Sequence, residues 1–204
     1  MWIYNLFDKW NIKPKGIIHI GAHLCQEREI YKNAGCDDSS VLWIEGNPDI
    51  YNRARQMFPD INIYNALISD KDSTVDFIVT NNDGASSSFL ELGEHLIHHP
   101  DVFEVERKKM KTIDFGSFVS DNNIDMNMYD FLIMDIQGAE LHALKGMIPL
   151  FKYFNGIYLE VNNSEIYKKC GQLPEIIDFL KQHGFDMKDI HMTQWNWGDA
   201  YFSR

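Results

Sequence analysis

Apolar residues in this chain follow two rhythms. Short, nearly continuous runs occur at Ile17-Ile18-His19-Ile20, Val41-Leu42-Trp43-Ile44, Tyr129 to Met134 and Ile157-Tyr158-Leu159. This is the pattern of parallel strands covered on both faces. Between them, apolar residues recur at helical spacing: Leu24, Tyr31 and Ala34; Tyr51, Ala54 and Phe58; Leu141, Leu144 and Ile148; Leu173, Ile176, Ile177 and Leu180. Strands that alternate with helices predict βαβ units and a parallel sheet.

Turn and cap residues agree with that division. Gly21 ends the first strand and removes the Cβ where the backbone must turn; the helix predicted to follow has Glu27 in its first turn and Gly35 as its stop. Asn47 and Pro48 predict an N-cap and a first helical residue, and Pro59 ends that helix. Pro174 and Gly184 bracket the last helix. Trp2, Ile3, Leu6, Phe7 and Trp10 predict an amphipathic helix within residues 1–15, packed on the domain edge. Residues 62–68 predict a third strand. Thr74 to Val79 follows as another, after a Ser-Asp-Lys-Asp-Ser turn that resembles a hairpin connection. Phe103 to Met110 alternates with charge and reads as an exposed strand, and Thr112-Ile113-Asp114 leads into a short helix. Residues 80–112 thus form an inserted loop and strand near the ligand edge. Phe185 to Thr193 and Ala200 to Ser203 read as a terminal hairpin.

Composition narrows the function. At 204 residues and 45% hydrophobic, the chain supports one core, and one domain over 1–204 is expected. A formal net charge of −11 argues against a nucleic-acid partner, since phosphate binding needs a basic face. No apolar stretch approaches the roughly 20 residues of a membrane helix, and no leader-like segment opens the chain. A cytoplasmic location without membrane insertion is therefore expected. Cys25, Cys36 and Cys170 form no C-x-x-C pair and are odd in number, which fits reduced thiols.

The candidate chemistry lies at strand ends. Glu45 closes the second strand, 24 residues beyond Gly21. In a doubly wound sheet a glycine turn and an acid about 20 residues later converge on a nucleoside, the acid on the ribose. A dinucleotide needs G-x-G-x-x-G, and His23 and Gln26 stand where the second and third glycines would fall. That leaves poor room for a pyrophosphate and points to S-adenosylmethionine, which has none. Asp135 ends a later strand at the same edge, over the methyl. Glu160-Val161-Asn162-Asn163 sets an acid and two amides there too. The polar loop of residues 81–88, with Ser86, Ser87 and Ser88, and the turn carrying Trp195, Trp197 and Asp199 are expected to wall an acceptor site. His95, His98 and His99 have metal-ligand spacing on a helix, but no Cys or carboxylate completes the set nearby, so they are read as structural.

Four segments carry a resemblance. Ile18-His19-Ile20-Gly21-Ala22-His23, Ile44-Glu45-Gly46-Asn47-Pro48, Asn65-Ala66-Leu67-Ile68-Ser69-Asp70 and Met134-Asp135-Ile136-Gln137-Gly138-Ala139-Glu140 resemble successive motifs of the FkbM methyltransferases. The likeness covers residues 16–204 and departs from the common pattern at His23, often Asn, and Cys25, often Gly. The resemblance implies an α/β, Rossmann-like class I methyltransferase fold: a seven-stranded, mostly parallel sheet with a C-terminal antiparallel hairpin and helices on both faces. It also implies a cofactor site of Gly21, Ala22, His23, Glu27, Glu45, Gly46, Asn47, Ala66, Leu67 and Asp135, with Ala66 and Leu67 beside the adenine. The implied activity is O-methylation of a sugar, glycan or small-molecule hydroxyl, and much of its catalysis is alignment. Asp135, Glu160 and His23 are candidates for the base. A divalent cation on Asp135, Glu160 and Asn162 is a less favoured alternative. A non-catalytic nucleoside-binding scaffold and a nicotinamide-dependent oxidoreductase are the rival readings.

Overall fold

Strands buried on both faces can have no solvent side, and four adjacent strands of the larger sheet meet that condition along their whole length. These are β1 (Ile17–Ile20), β2 (Val41–Glu45), β7 (Phe131–Met134) and β8 (Gly156–Asn162). The computed structural model describes residues 3–204. Its remaining strands are β3 (Ile63–Asn65), β4 (Leu67–Ser69), β5 (Ser73–Thr80), β6 (Glu104–Asp114), β9 (Asp186–Met192) and β10 (Trp197–Ser203). The α-helices are α1 (Leu6–Lys9), α2 (Arg28–Asn33), α3 (Pro48–Met57), α4 (His95–His98), α5 (Phe115–Asp121), α6 (Glu140–Gly146) and α7 (Leu173–Gln182).

The main sheet has the order β3-β2-β1-β7-β8-β10-β9. Its strands are parallel except β10, which pairs antiparallel with both β8 and β9. Alternation along each strand divides the core in two. Ile18, Leu42, Leu132 and Ile157 point to one face, under α5, α6 and α7; Ile17, Val41, Phe131 and Tyr158 point to the other, under α1, α2 and α3. A smaller sheet of order β4-β6-β5 stands beside the main one. Among the described residues, no helix is long and apolar enough to cross a membrane.

Several elements depart from the sequence expectation for local reasons. The N-terminal helix is only α1 after a short 3-10 turn, Ile3–Asn5. Ile3, Leu6 and Phe7 are buried while Trp10 is 40% exposed, and Trp2 lies outside the described residues. The helix expected directly after Gly21 begins at Arg28, because His23 (φ 44°) and Cys25 (φ 56°) hold left-handed backbone, which a right-handed helix cannot include. The predicted third strand is two strands: β3 joins the main sheet, and after Ala66 the chain crosses to the small sheet as β4. The turn before β5 is not a hairpin, since β4 and β5 each pair with β6 and not with each other. Helix α6 stops at Gly146, where a Cβ would lie 2.3 Å from the Ser69 carbonyl oxygen, and Ile148, expected inward, is 43% exposed. Glu160, Asn162 and Trp197 lie within strands β8 and β10 and not in the connections after or between them. Caps read from sequence are in place: Asn47 accepts from the Asp49 N–H, Pro48 opens α3, and Gly35 (φ 97°) follows α2.

Two contacts fix the turns at the sheet edge. A Cβ on Gly21 (φ 88°) would sit 1.8 Å from the Asp135 carbonyl oxygen, so only glycine lets β1 and β7 close at their ends. The turn after β7 runs through Gln137 (φ 58°) and Gly138 (φ 91°). Glu140 holds it, one carboxyl oxygen accepting from the backbone N–H of Ile136 (2.9 Å) and Gly138 (3.3 Å). The Glu140 side chain is fully buried and its second oxygen has no partner. Burial pushes its pKa up to about 8, with the Asp135 carboxyl adding to the shift and the backbone donors opposing it.

Gly21→Ala is expected to destabilise the fold by about 2 kcal/mol or more, the scale of an overpacked site with left-handed backbone; urea unfolding measures it. Glu140 is held protonated in the fold and ionises freely when unfolded. Its contribution to stability is therefore complete below about 4.5 and lost as pH climbs through about 8. The melting temperature should fall over that window, and Glu140→Gln, which keeps the acceptor oxygen, should flatten the fall.

Candidate active site

Parallel register brings three strand ends level. Ile20 pairs with Ile44 on one side and Met134 on the other, so Gly21, Glu45 and Asp135 emerge at one edge. The backbone N–H groups of Gly21 and Ala22 both donate to the Ile44 carbonyl (2.9 and 3.0 Å), and the Asp135 N–H donates to that of Ile20 (3.0 Å). Pairing thus continues into the turns and fixes where the side chains start.

Glu45 is buried at the rim. One oxygen accepts from the His23 N–H (2.7 Å) and the other from the Asn47 N–H (2.6 Å). Burial raises its pKa, and the two backbone donors act against that rise. Each oxygen retains acceptor capacity toward an open cleft with about 570 Å³ of empty space, part of it continuous with solvent. Its floor is Gly21, Gly46 and Ala66; Leu67, Ile68, Phe77, Phe89 and Ile136 give it apolar walls, and Gly84, Ala85, Ser87 and Ser88 close it. Neither Lys nor Arg is among its lining residues.

A second cleft of about 720 Å³ adjoins the first. Ala85, Asp135 and Gln137 line both. The second is polar and aromatic, with Asn82, Ser86, His95, His99, Glu160, Tyr167 and Trp197. The Gln137 amide nitrogen donates to Asp135 (2.5 Å) and to Glu160 (3.1 Å), and the Tyr167 hydroxyl donates to the amide oxygen of Gln137 (2.5 Å). Burial, followed by the charges of Asp135, Glu140 and Asp199, holds the Glu160 carboxyl well above the ordinary carboxylate range. His95 meets the Ser86 hydroxyl (3.1 Å), and burial lowers its pKa to about 4, so its ring is neutral.

The structure gathers some of the sequence-predicted residues and disperses others. Gly21, His23, Glu45, Gly46, Ala66, Leu67 and Asp135 line the first cleft; Ser87 and Ser88, expected at the acceptor, line it too. Asp135, Glu160, Ser86 and Trp197 line the second. His23 faces only the first cleft, its ring bonded to the Asp83 carbonyl (3.0 Å) and Gln26 (2.8 Å). Ala22 is buried beneath the turn, Glu27 precedes α2, and Asn47 caps α3; none of the three lines either cleft. Asn162 is buried with both side-chain polar atoms unpaired. Trp195 packs on the His99 ring at 5.2 Å. Asp199 lines a separate cavity with Leu6, Lys9 and Tyr158. Of the three clustered histidines, His95 and His99 keep ring contact (5.1 Å) and both line the second cleft, His95 meeting Ser86 and His99 packing on Trp195. Among the described residues, no three His, Cys, Asp or Glu side chains are arranged to hold a metal ion.

Gln137, Tyr167, Phe77 and Phe89 are site residues that the sequence reading did not single out. Gln137 stands inside the quoted Asp-Ile-Gln-Gly segment, where its position next to a strand-end acid was the available sign. Phe77, Phe89 and Tyr167 come from β5 and two loops whose approach to the edge no local spacing encodes.

A family model described as the methyltransferase FkbM domain matches residues 19–187. Among solved structures, the chain is similar to the ribosomal protein L11 methylase from Lactobacillus delbrueckii subsp. bulgaricus, with 14% sequence identity, TM-score 0.52 and coverage of 99% of this chain and 77% of that one. It is also similar to precorrin-6y C5,15-methyltransferase from Geobacter metallireducens GS-15, with 10% identity, TM-score 0.50 and coverage of 97% and 84%. At these identities the likeness speaks for the fold alone. Comparison with curated protein sequences gives no match. The family model spans most of the chain, and its strand ends build the two clefts; the protein belongs to the FkbM methyltransferase family and carries the S-adenosylmethionine-dependent methyltransferase fold.

Proposed function

We propose that the chain transfers a methyl group from S-adenosylmethionine to a hydroxyl oxygen of a sugar, glycan or small molecule. The observation that carries this reading is the shared wall: a cleft lined by Glu45 and apolar side chains and a polar, aromatic cleft meet at Asp135 and Gln137. The first cleft suits the cofactor by its donor set. Glu45 offers carboxylate oxygens to ribose hydroxyls, Leu67, Phe77 and Ile136 offer apolar surface to adenine, and no lining cation awaits a phosphate. The last point, with His23 and Gln26 in the turn, weighs against a nicotinamide dinucleotide. When bound, S-adenosylmethionine supplies a methyl group already activated on a sulfonium.

What remains for the protein is to seat an acceptor and take its proton. Trp197, Tyr167 and His99 line the second cleft, with Asn82 and Ser86 as polar partners, a combination suited to a hydroxyl-bearing ring. Asp135 stands where the clefts join and is the group we assign to receive the hydroxyl proton. Glu160, whose carboxyl is held well above the ordinary range by burial and neighbouring charge, is the hydrogen-bonding member of the pair. With the methyl already activated, alignment of the acceptor at this junction is the main contribution.

Glu45→Ala should lose about 1.5–3 kcal/mol of S-adenosylmethionine affinity by calorimetry, the scale of hydrogen bonds to a charged group; unchanged affinity, or wild-type preference for NAD, removes the reading. Asp135→Asn should keep the fold and cofactor affinity while single-turnover methyl transfer to a panel of glycans and small alcohols falls by about 10²–10⁴. Full activity in the folded variant would move the proton acceptor elsewhere. Tight cofactor binding by wild type with no transfer to any acceptor in the panel favours the scaffold reading.

A further inference from the structure

The side chain of Gln137 uses both ends of its amide, and the ends are chemically unlike. Its nitrogen donates to Oδ1 of Asp135 (2.5 Å) and Oε2 of Glu160 (3.1 Å), while its oxygen accepts from the Tyr167 hydroxyl (2.5 Å). Reversing the amide would aim its oxygen at the Asp135 carboxylate, which has only lone pairs to offer, so the nitrogen faces Asp135. The backbone supports this aim: Gln137 sits at φ 58°, and Gly138 beside it packs so closely on Tyr167 that a Cβ would lie 2.9 Å from the tyrosine Cβ. The Tyr167 hydroxyl also reaches the Ser86 carbonyl (3.3 Å), which continues the network into the wall of the second cleft.

We propose that Gln137 is a positioning residue: it keeps Asp135 and Glu160 as a pair holding one proton, with Glu160 the protonated member, and ties that pair through Tyr167 to the Ser86 wall. The proposal rests on the methyl-transfer reading of the site. The surroundings leave the pair little choice. Asp135 and Glu160 share the Gln137 amide nitrogen as donor (2.5 and 3.1 Å); Asp199 on β10 adds negative charge near Glu160, and Glu140 on α6, itself held protonated up to about 8, adds charge only above that pH. Glu27 and Glu45 face Asp135 from the turn before α2 and the end of β2. His95 and His99 stand across the second cleft, and neither cleft has a Lys or Arg in its lining. With no cation to support a second ionisation, one carboxyl keeps its proton, as two acids sharing a site do. The Gln137 amide donates to both members and so sets which ionises first and where its free oxygen points.

The test needs no acceptor. Carboxyl-labelled protein is titrated by ¹³C NMR from pH 4 to 9 as wild type, Gln137→Leu, Gln137→Glu and Tyr167→Phe, with Glu160→Gln and Asp135→Asn for assignment. Wild type should show Glu160 protonated at pH 7. Gln137→Leu should raise the lower midpoint of the pair by about one unit, since a donor to the ionised form is lost. Gln137→Glu should raise it further by adding a third acid. Tyr167→Phe frees the amide without touching the turn and should give a smaller rise, so it decides the matter if the Gln137 variants fail to fold. Both carboxyls ionised at pH 7 in wild type, or midpoints unmoved in folded Gln137→Leu or in Tyr167→Phe, would overturn the proposal. Calorimetry with S-adenosylmethionine on the same wild-type sample separates the two levels. Absent binding beside an intact one-proton pair sinks the methyl-transfer reading alone, whereas normal binding beside unmoved midpoints sinks the role of Gln137 alone.

Discussion

The Asp135 carbonyl occupies the space that any side chain at position 21 would need. Much at the sheet edge depends on that contact. β1 is flanked by β2 and β7, and its end must be bare for the neighbours to stay in register beyond their last paired residues. Because they do, the carboxyl groups of Glu45 and Asp135 leave the backbone at the same height. One missing Cβ therefore sets the spacing between a nucleoside-facing acid and the acid at the junction of the clefts.

Burying acids in numbers is costly unless each finds a remedy, and the remedies here differ. Glu45 is offset by two backbone N–H groups from turns on either side of it. Glu140 uses two backbone N–H groups for one oxygen and leaves the other unpaired. Glu160 relies on an amide donor and a raised pKa. Left-handed residues supply part of this provision, since His23 lends its N–H to Glu45 and Gly138 lends its own to Glu140. Strained turns and buried acids are two sides of one arrangement: the backbone bends so that its donors face inward.

Most of the main sheet was legible because its strands are buried on both faces and leave unbroken apolar runs, and because Gly21, Asn47 and Pro48 punctuate them by local stereochemistry. The first cleft was legible for the same reason, since strand ends follow from strand positions. The crossing at Ala66 was not, because residues 62–68 read as one apolar segment and a change of partner leaves no mark on periodicity. The left-handed turn at His23 and Cys25 was not read, although the Asn and Gly common at these two positions in the resembling family are residues that favour positive φ. The outer wall was least legible. Ser87 and Ser88 line the first cleft, Asn162 and Asp199 line neither, and Tyr167 arrives from a loop with no motif. Side-chain direction in such loops is decided by tertiary contacts.

The crossing at Ala66 also divides the chain's labour. Residues 67–114 leave the main sheet as a single excursion that forms the small sheet, supplies Leu67, Phe77 and Phe89 to one cleft and Asn82, Ser86, His95 and Val102 to the other, and returns at the N-cap of α5. The strand-end acids Glu45, Asp135 and Glu160 all lie outside it. Exchanging this one contiguous cassette would therefore reshape walls of both clefts at once, while the strands that carry the acids keep their sequence.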